Sequence, residues 1–165
     1  MKAITLKQPW AHVIFDLELV EDLDTGVGRK NIENRTWSTE FRGPLAIVAG
    51  LGWDSSGPDI DPEELPYGQI VGVVDLVDVH EHLTERCDPN GVCKPVSLRG
   101  GWAEFRPFGL RTIQHWVLEN PRDLTEHHVF PYTGFLGIRE LGDSISKAIE
   151  QALDEDAALS ESAMI

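Results

Sequence analysis

The chain has 165 residues, enough for one domain, or one domain and a tail, around a real core. Hydrophobic residues make up 41% and charged residues 25%, as in an ordinary soluble globule. No apolar run approaches the ~20 residues of a membrane span, and a net charge of −14 argues against a general polyanion binder, whose affinity comes from a basic surface.

In chain order, AITL (residues 3–6) reads as a short strand. QPWAHVIFDLEL (8–19) reads as a helix. Pro9 suits its first position, where the missing N–H costs nothing, and Trp10, Val13, Ile14 and Leu17 fall on one face. An acidic, glycine-punctuated loop follows. NIENRTW (31–37) alternates as a strand does, placing Glu33, Arg35 and Trp37 on one face and Ile32, Asn34 and Thr36 on the other. PLAIVAG (44–50) is a buried strand opened by Pro44, which a strand tolerates at its start.

Residues 51–68 are loop-rich, with one helical turn expected at 62–65. QIVGVVDLVDV (69–79) is the strongest strand pattern, IQHWVLEN (113–120) another and GFLGIREL (134–141) the last. Residues 80–108 are irregular. Asp143 is placed to cap a helix whose Ile145, Ala148, Ile149, Ala152 and Leu153 form an apolar stripe, and the acidic chain from Asp154 is expected to fray. Short strands with long irregular connections predict a mainly β fold with flanking helices (α+β), closed as a small barrel.

The opening residues lack a long apolar stretch with a small-residue cleavage site, and two cysteines make no disulfide framework. A cytoplasmic protein with reduced thiols is the expectation. The charge is unevenly spread. Between residues 29 and 49, Arg29, Lys30, Arg35 and Arg42 outweigh Glu33 and Glu40 for a local balance of +2, while acids gather at 16–24, 59–64 and beyond 142. Any nucleic-acid contact is therefore expected through a small patch.

Lys30, Glu33 and Arg35, with Arg42 beyond them, form the first constellation. An ammonium, a carboxylate and a guanidinium can orient a polar ligand or shift one another's proton affinity. A salt-bridged strand edge has the same spacing. Gln8, Pro9 and Trp10 form the second; an indole beside an amide at a helix start can stack on a base, or simply enter the core. The third is His80, His82, Cys87 and Cys93. Two imidazoles and two thiols suit tetrahedral zinc, but the Cys-x5-Cys gap exceeds the common two to four and His-x-His splays to one face. Surface histidines and reduced thiols are the expected reading, with no metal and no cofactor. His115 and the pair His127–His128 have no serine or cysteine in a nucleophile-elbow context, and GLGWDSSG lacks the ending of a phosphate loop.

The order ITLKQPWAHVI, GRKNIENRTWSTEFRGPLAIVAG, GQIVGVVDLVDV, HWVLENPRDL and YTGFLGIREL resembles that of ASCH (ASC-1 homology) proteins of the PUA superfamily. Gln8, Pro9, Trp10, Gly28, Lys30, Glu33, Arg35, Trp37, Arg42 and Gly43 all stand in family positions. The resemblance implies an ASCH domain over residues 1–141, a PUA-like β-barrel, with 142–165 as a C-terminal amphipathic helix and acidic tail. It implies a cleft lined by Lys30, Glu33 and Arg35, with Gln8, Pro9, Trp10, Trp37 and Arg42 beside them. The ligand implied is single-stranded RNA, a nucleoside or a modified base. The acidic loop at 18–27 looks longer than usual; folded over the cleft, it would favour a nucleoside or short single strand over a duplex.

One branch of the superfamily hydrolyses N4-acetylcytidine with a threonine three residues after the motif lysine; here that place holds Glu33. A metal-independent hydrolase, ribonuclease-like or amidohydrolase-like, with Lys30, Glu33 and Arg35 as catalytic groups, is the alternative in the same cleft. A third reading is a protein-interaction module that recruits a partner through the C-terminal helix.

Overall fold

The computed structural model describes residues 1–16, 29–96, 98, 101–105 and 112–164. The acidic loop expected at 18–27, Gly28 and the end of the first predicted helix lie outside them. Among the described residues, seven strands and one α-helix follow in order: β1 (Lys2–Gln8), β2 (Ile32–Arg35), β3 (Gly43–Trp53), β4 (Gln69–Glu81), β5 (Gln114–Asp123), β6 (Phe130–Pro131), β7 (Ile138–Glu140) and α1 (Asp143–Ala163). The strands form one sheet in the order β2-β5-β4-β3-β1-β7, with β6 pairing β4 off that path. This is the expected mainly β, α+β class.

Among the described residues, the expected barrel closure is not found. β2 and β7 stand at the two ends of the path, four and three residues long, and each pairs with one neighbour, β5 and β1. Closure would need a ladder between these two short strands, which no local sequence pattern can reveal.

Two compact units divide the chain. The first comprises Met1–His12, Pro44–Val74 and Arg122–Ile165; the second comprises Val13–Gly43 and Asp75–Pro121. In the first, β1 runs parallel to β3 with Ala3 opposite Ala46 and Thr5 opposite Val48, and antiparallel to β7 with Ala3 opposite Arg139. A parallel pair cannot be joined by a tight turn, and the long connection between β1 and β3 supplies the crossover. Leu45 to Gly50 of β3 are buried without alternation, the mark of a strand covered on both faces. Ala3, Ala46, Val48, Ile70, Val73, Leu124 and Leu141 form a core cluster with Ile149 and Ala152 of α1.

Two helix expectations are corrected here. After β1, the described part of the predicted helix (residues 8–16) holds a 3-10 turn at His12–Ile14 in place of an α-helix, with β1 running through Gln8 and Gln8 Oε1 accepting the His12 N–H. At the other end, Gly142 is the N-cap and Asp143 the first helical residue, and the helix continues to Ala163 where fraying is expected. Good helix formers fill that stretch. Gln151 Nε2 donates to Glu155 four residues on, and Asp156 Oδ1 accepts from both His127 and His128.

In the second unit, β2 runs antiparallel to β5, pairing Ile32 with Val117, Glu33 with Trp116, Asn34 with His115 and Arg35 with Gln114. Ile32, Ile113 and Trp116 are fully buried. No described helix is long and apolar enough to cross a membrane.

Candidate functional site

The second unit holds two groups of chemistry-bearing side chains, set by the alternation of β2. Directly opposed residues share a face, so Glu33 lies with Trp116 and Asn34 with His115.

On the Glu33 face, one carboxylate joins two cations. Lys30 Nζ lies 3.2 Å from Glu33 Oε2, and Arg35 Nε lies 3.1 Å from Glu33 Oε1. Lys30 precedes the strand: its N–H donates to Val13 O, and its Nζ also donates to the Ile32 carbonyl. The turn therefore brings it to the face its sequence parity alone would deny it. Lys30 and Glu33 are buried, while Arg35 keeps 22% of its side chain exposed. Burial lowers the proton affinity of the Lys30 amine, and the Glu33 charge partly offsets this.

Aromatic rings surround the trio. Lys30 Nζ sits 5.9 Å from the Trp102 ring centre, and the Arg35 guanidinium carbon 6.0 Å from that of Trp37. Trp37 meets Trp116 edge to face at 4.7 Å, and Trp116 Nε1 donates to the Trp37 carbonyl. Trp102 carries no motif that marks it; only its place in the fold puts it here.

The remaining expected site residues have other attachments. Arg42 Nη1 donates to the Thr39 and Phe41 carbonyls, and Nη2 lies 3.7 Å from Asp78 Oδ1. Gln8, Pro9 and Trp10 belong to the first unit. Gln8 is fully buried, its amide donating to Pro66 O and accepting from His12 N–H. Trp10 Nε1 donates to Asp54 Oδ2 at 3.0 Å. Hydrogen bonds from Ser56 and Trp10 pull the Asp54 carboxyl down to about 2.

On the Asn34 face, His80, Cys87, Cys93 and His115 come together. The expectation of surface histidines at 80 and 82 is corrected: both are buried, because β4 continues through Glu81 and the His82 N–H just beyond it donates to the Ile113 carbonyl. His82 Nδ1 accepts the Ile113 N–H, whereas His80 turns to Cys93 and His115 to Cys87. Burial raises both thiols, Cys87 to about 12, and lowers His115.

Among solved structures, the chain is similar to an ASCH protein from Zymomonas mobilis. That structure aligns over 91% of this chain and 93% of its own, with 12% identity and a TM-score of 0.47. Two mutant forms of the same protein align over 91% of this chain and 96% and 94% of theirs, each with 14% identity and a TM-score of 0.49. No family model and no curated protein matches the chain.

Proposed function

We propose that the chain is an ASCH-type domain that binds single-stranded RNA or a modified nucleobase through Lys30, Glu33 and Arg35. The observation that carries this reading is the buried Lys30–Glu33 pair joined to a partly exposed Arg35 inside an otherwise acidic chain. Burying an ion pair is no cheaper than burying apolar side chains of the same volume, so stability alone does not call for it. The Arg35 guanidinium, ion-paired through Nε with Glu33 on a side chain that is 22% exposed, has the planar edge that suits a phosphate or a carbonyl. Trp37, beside that edge, is an apolar surface on which a base can stack.

In this reading Lys30 and Glu33 position Arg35, and Arg42 braces the turn before β3. Gln8, Pro9 and Trp10 are left out, since their polar atoms serve Pro66, His12 and Asp54. The hydrolase alternative gains no specific support: both Glu33 oxygens already face cations. The test is fluorescence anisotropy with labelled single-stranded oligoribonucleotides, and competition by a panel of nucleosides, at low salt. Binding weakened at least tenfold by Arg35→Ala, with a log–log salt slope of about −0.7 per phosphate contacted, is expected. No binding at low salt overturns the proposal.

A further inference from the structure

Four potential metal ligands meet on the Asn34 face of β2 and β5. The nearest ligand atoms of His80, Cys87, Cys93 and His115 all lie within 4.8 Å of one another. His80 Nε2 is 3.2 Å from Cys93 Sγ, and His115 Nδ1 is 3.4 Å from Cys87 Sγ. Zinc bonds of about 2.0–2.1 Å to nitrogen and 2.3 Å to sulfur make the edges of a tetrahedron about 3.3–3.8 Å long. The two short pairs, at 3.2 and 3.4 Å, stand at or within about 0.1 Å of that range, and the widest separation has to close by about 1.5 Å at most.

The far sides of both rings fix which nitrogen is free. His80 Nδ1 lies 2.7 Å from Asp78 Oδ2, and a carboxylate can only accept, so Nδ1 carries the proton and Nε2 turns a lone pair toward Cys93. His115 Nε2 lies 2.9 Å from the Glu104 carbonyl, which likewise puts the proton there and leaves Nδ1 a lone pair toward Cys87. A carboxylate or carbonyl behind each imidazole is the arrangement that orients histidines on a metal. Asp78 is itself held by Arg86.

Two other roles for these groups fit less well. Cys93, His80 and Asp78 line up as a nucleophile, base and orienting acid would, but Cys93 is fully buried and no substrate reaches it. A plain packing role leaves unexplained why a second thiol–imidazole pair repeats the first. The loop that carries the thiols also needs an anchor. It folds through tight turns, with Cys87 N–H donating to Thr84 O and Cys93 N–H to Asp88 O, while Leu83 is largely exposed and Val92 partly so. Apart from Cys93, the loop offers the core little apolar surface.

We infer that His80 Nε2, Cys87 Sγ, Cys93 Sγ and His115 Nδ1 form a structural zinc site that ties the 84–93 loop to β4 and β5. Four protein ligands close the coordination sphere, which is the pattern of structural rather than catalytic zinc. The site shares no ligand with the Lys30 cluster, and its test does not depend on RNA binding there.

The experiment uses the full chain. Metal content of protein purified without chelator is measured by mass spectrometry, and the stripped chain is titrated with Co2+ under reducing conditions. One zinc per chain and a thiolate-to-cobalt charge-transfer band saturating at one equivalent are expected. Cys93→Ser and His115→Gln should each weaken Co2+ binding at least ~100-fold. His82→Gln, which changes a neighbouring imidazole outside the set, should retain one equivalent. Asp78→Asn, with all four ligands intact, should weaken binding about 10–100-fold. A folded chain with under a tenth of an equivalent of zinc and no cobalt band overturns the inference. So does a Cys87–Cys93 disulfide in freshly prepared protein, or loss of the cobalt band in His82→Gln but not in His115→Gln.

Discussion

Asn34 and His115 stand opposite each other across the β2–β5 ladder, and both side chains grip the same loop segment. Asn34 Nδ2 donates to Trp102 O, Asn34 Oδ1 accepts from Glu104 N–H, and His115 Nε2 donates to Glu104 O. Trp102, so held, lies against Lys30, and His115 turns its other nitrogen to Cys87. Asn34→Leu removes both amide bonds and strands a donor and an acceptor of the loop. A loss of about 1–3 kcal/mol is expected, read as a lower urea midpoint at unchanged slope, with easier acrylamide quenching of tryptophan emission. An unchanged midpoint would show that the loop is held by something else.

The Lys30–Glu33 pair makes a sharper prediction because both groups are buried. Glu33→Gln leaves the Lys30 ammonium in a desolvated place with Arg35 as its charged neighbour, and should cost about 3–5 kcal/mol near neutral pH. The double variant Lys30→Met/Glu33→Leu should cost less than Glu33→Gln alone. Burial sets the Lys30 amine below its ordinary 10.5, so the native state releases this proton before the unfolded chain does. Stability of Glu33→Gln relative to the double variant should therefore rise as pH climbs toward 10.5. Additive single and double costs, or a relative stability that falls over that range, would rule out a strained buried ammonium.

How far the sequence foretells this arrangement depends on whether the cause is local. The β-branched run predicted as a strand at 69–79 is β4, and the alternation of NIENRTW correctly separates Glu33 and Arg35 from Ile32 and Asn34 on β2. Both follow from the two-residue strand period. The failures are long-range. The turn after β1 depends on the Gln8 amide, and β6 exists only through its pairing with β4. His80 and His115 meet because β4 and β5 are neighbours in the sheet, so spacing points to His82 as the second imidazole when His115 is the one beside Cys87. Lys30 reaches Glu33 through a turn held by Val13 O, a contact no strand pattern encodes.

The apolar stripe of α1 is legible in the sequence, but its occupant is the chain's own first unit. Ile149 is fully buried and Ala152 nearly so, in the cluster with Ala3, Val48, Ile70 and Leu141, and Ile145 and Leu153 pack at its edge. Ile149→Ala should cost about 2–5 kcal/mol through lost burial and the cavity left behind, measured as a lower thermal midpoint. Leu159→Ala, at an exposed position farther along the helix, should stay within about 0.5 kcal/mol. If the two substitutions cost the same, α1 is not part of this core.

Acid sensitivity of the first unit should centre on Asp54. Its Oδ1 accepts from the Ser56 hydroxyl and N–H, its Oδ2 from Trp10 Nε1, and these bonds bring the carboxyl from an ordinary 3.8 down to about 2. A carboxyl depressed in the folded state contributes stability in full above its unfolded value and loses it as pH falls through the folded one. The loss should therefore run from 3.8 to about 2, and Asp54→Asn should flatten the slope of stability against pH in that window alone. Urea midpoints at stepped pH measure it, with Trp10→Phe, which removes the indole donor, expected to give a partial version of the same flattening. An acid slope in Asp54→Asn as steep as in the parent chain would place the sensitive carboxylate elsewhere.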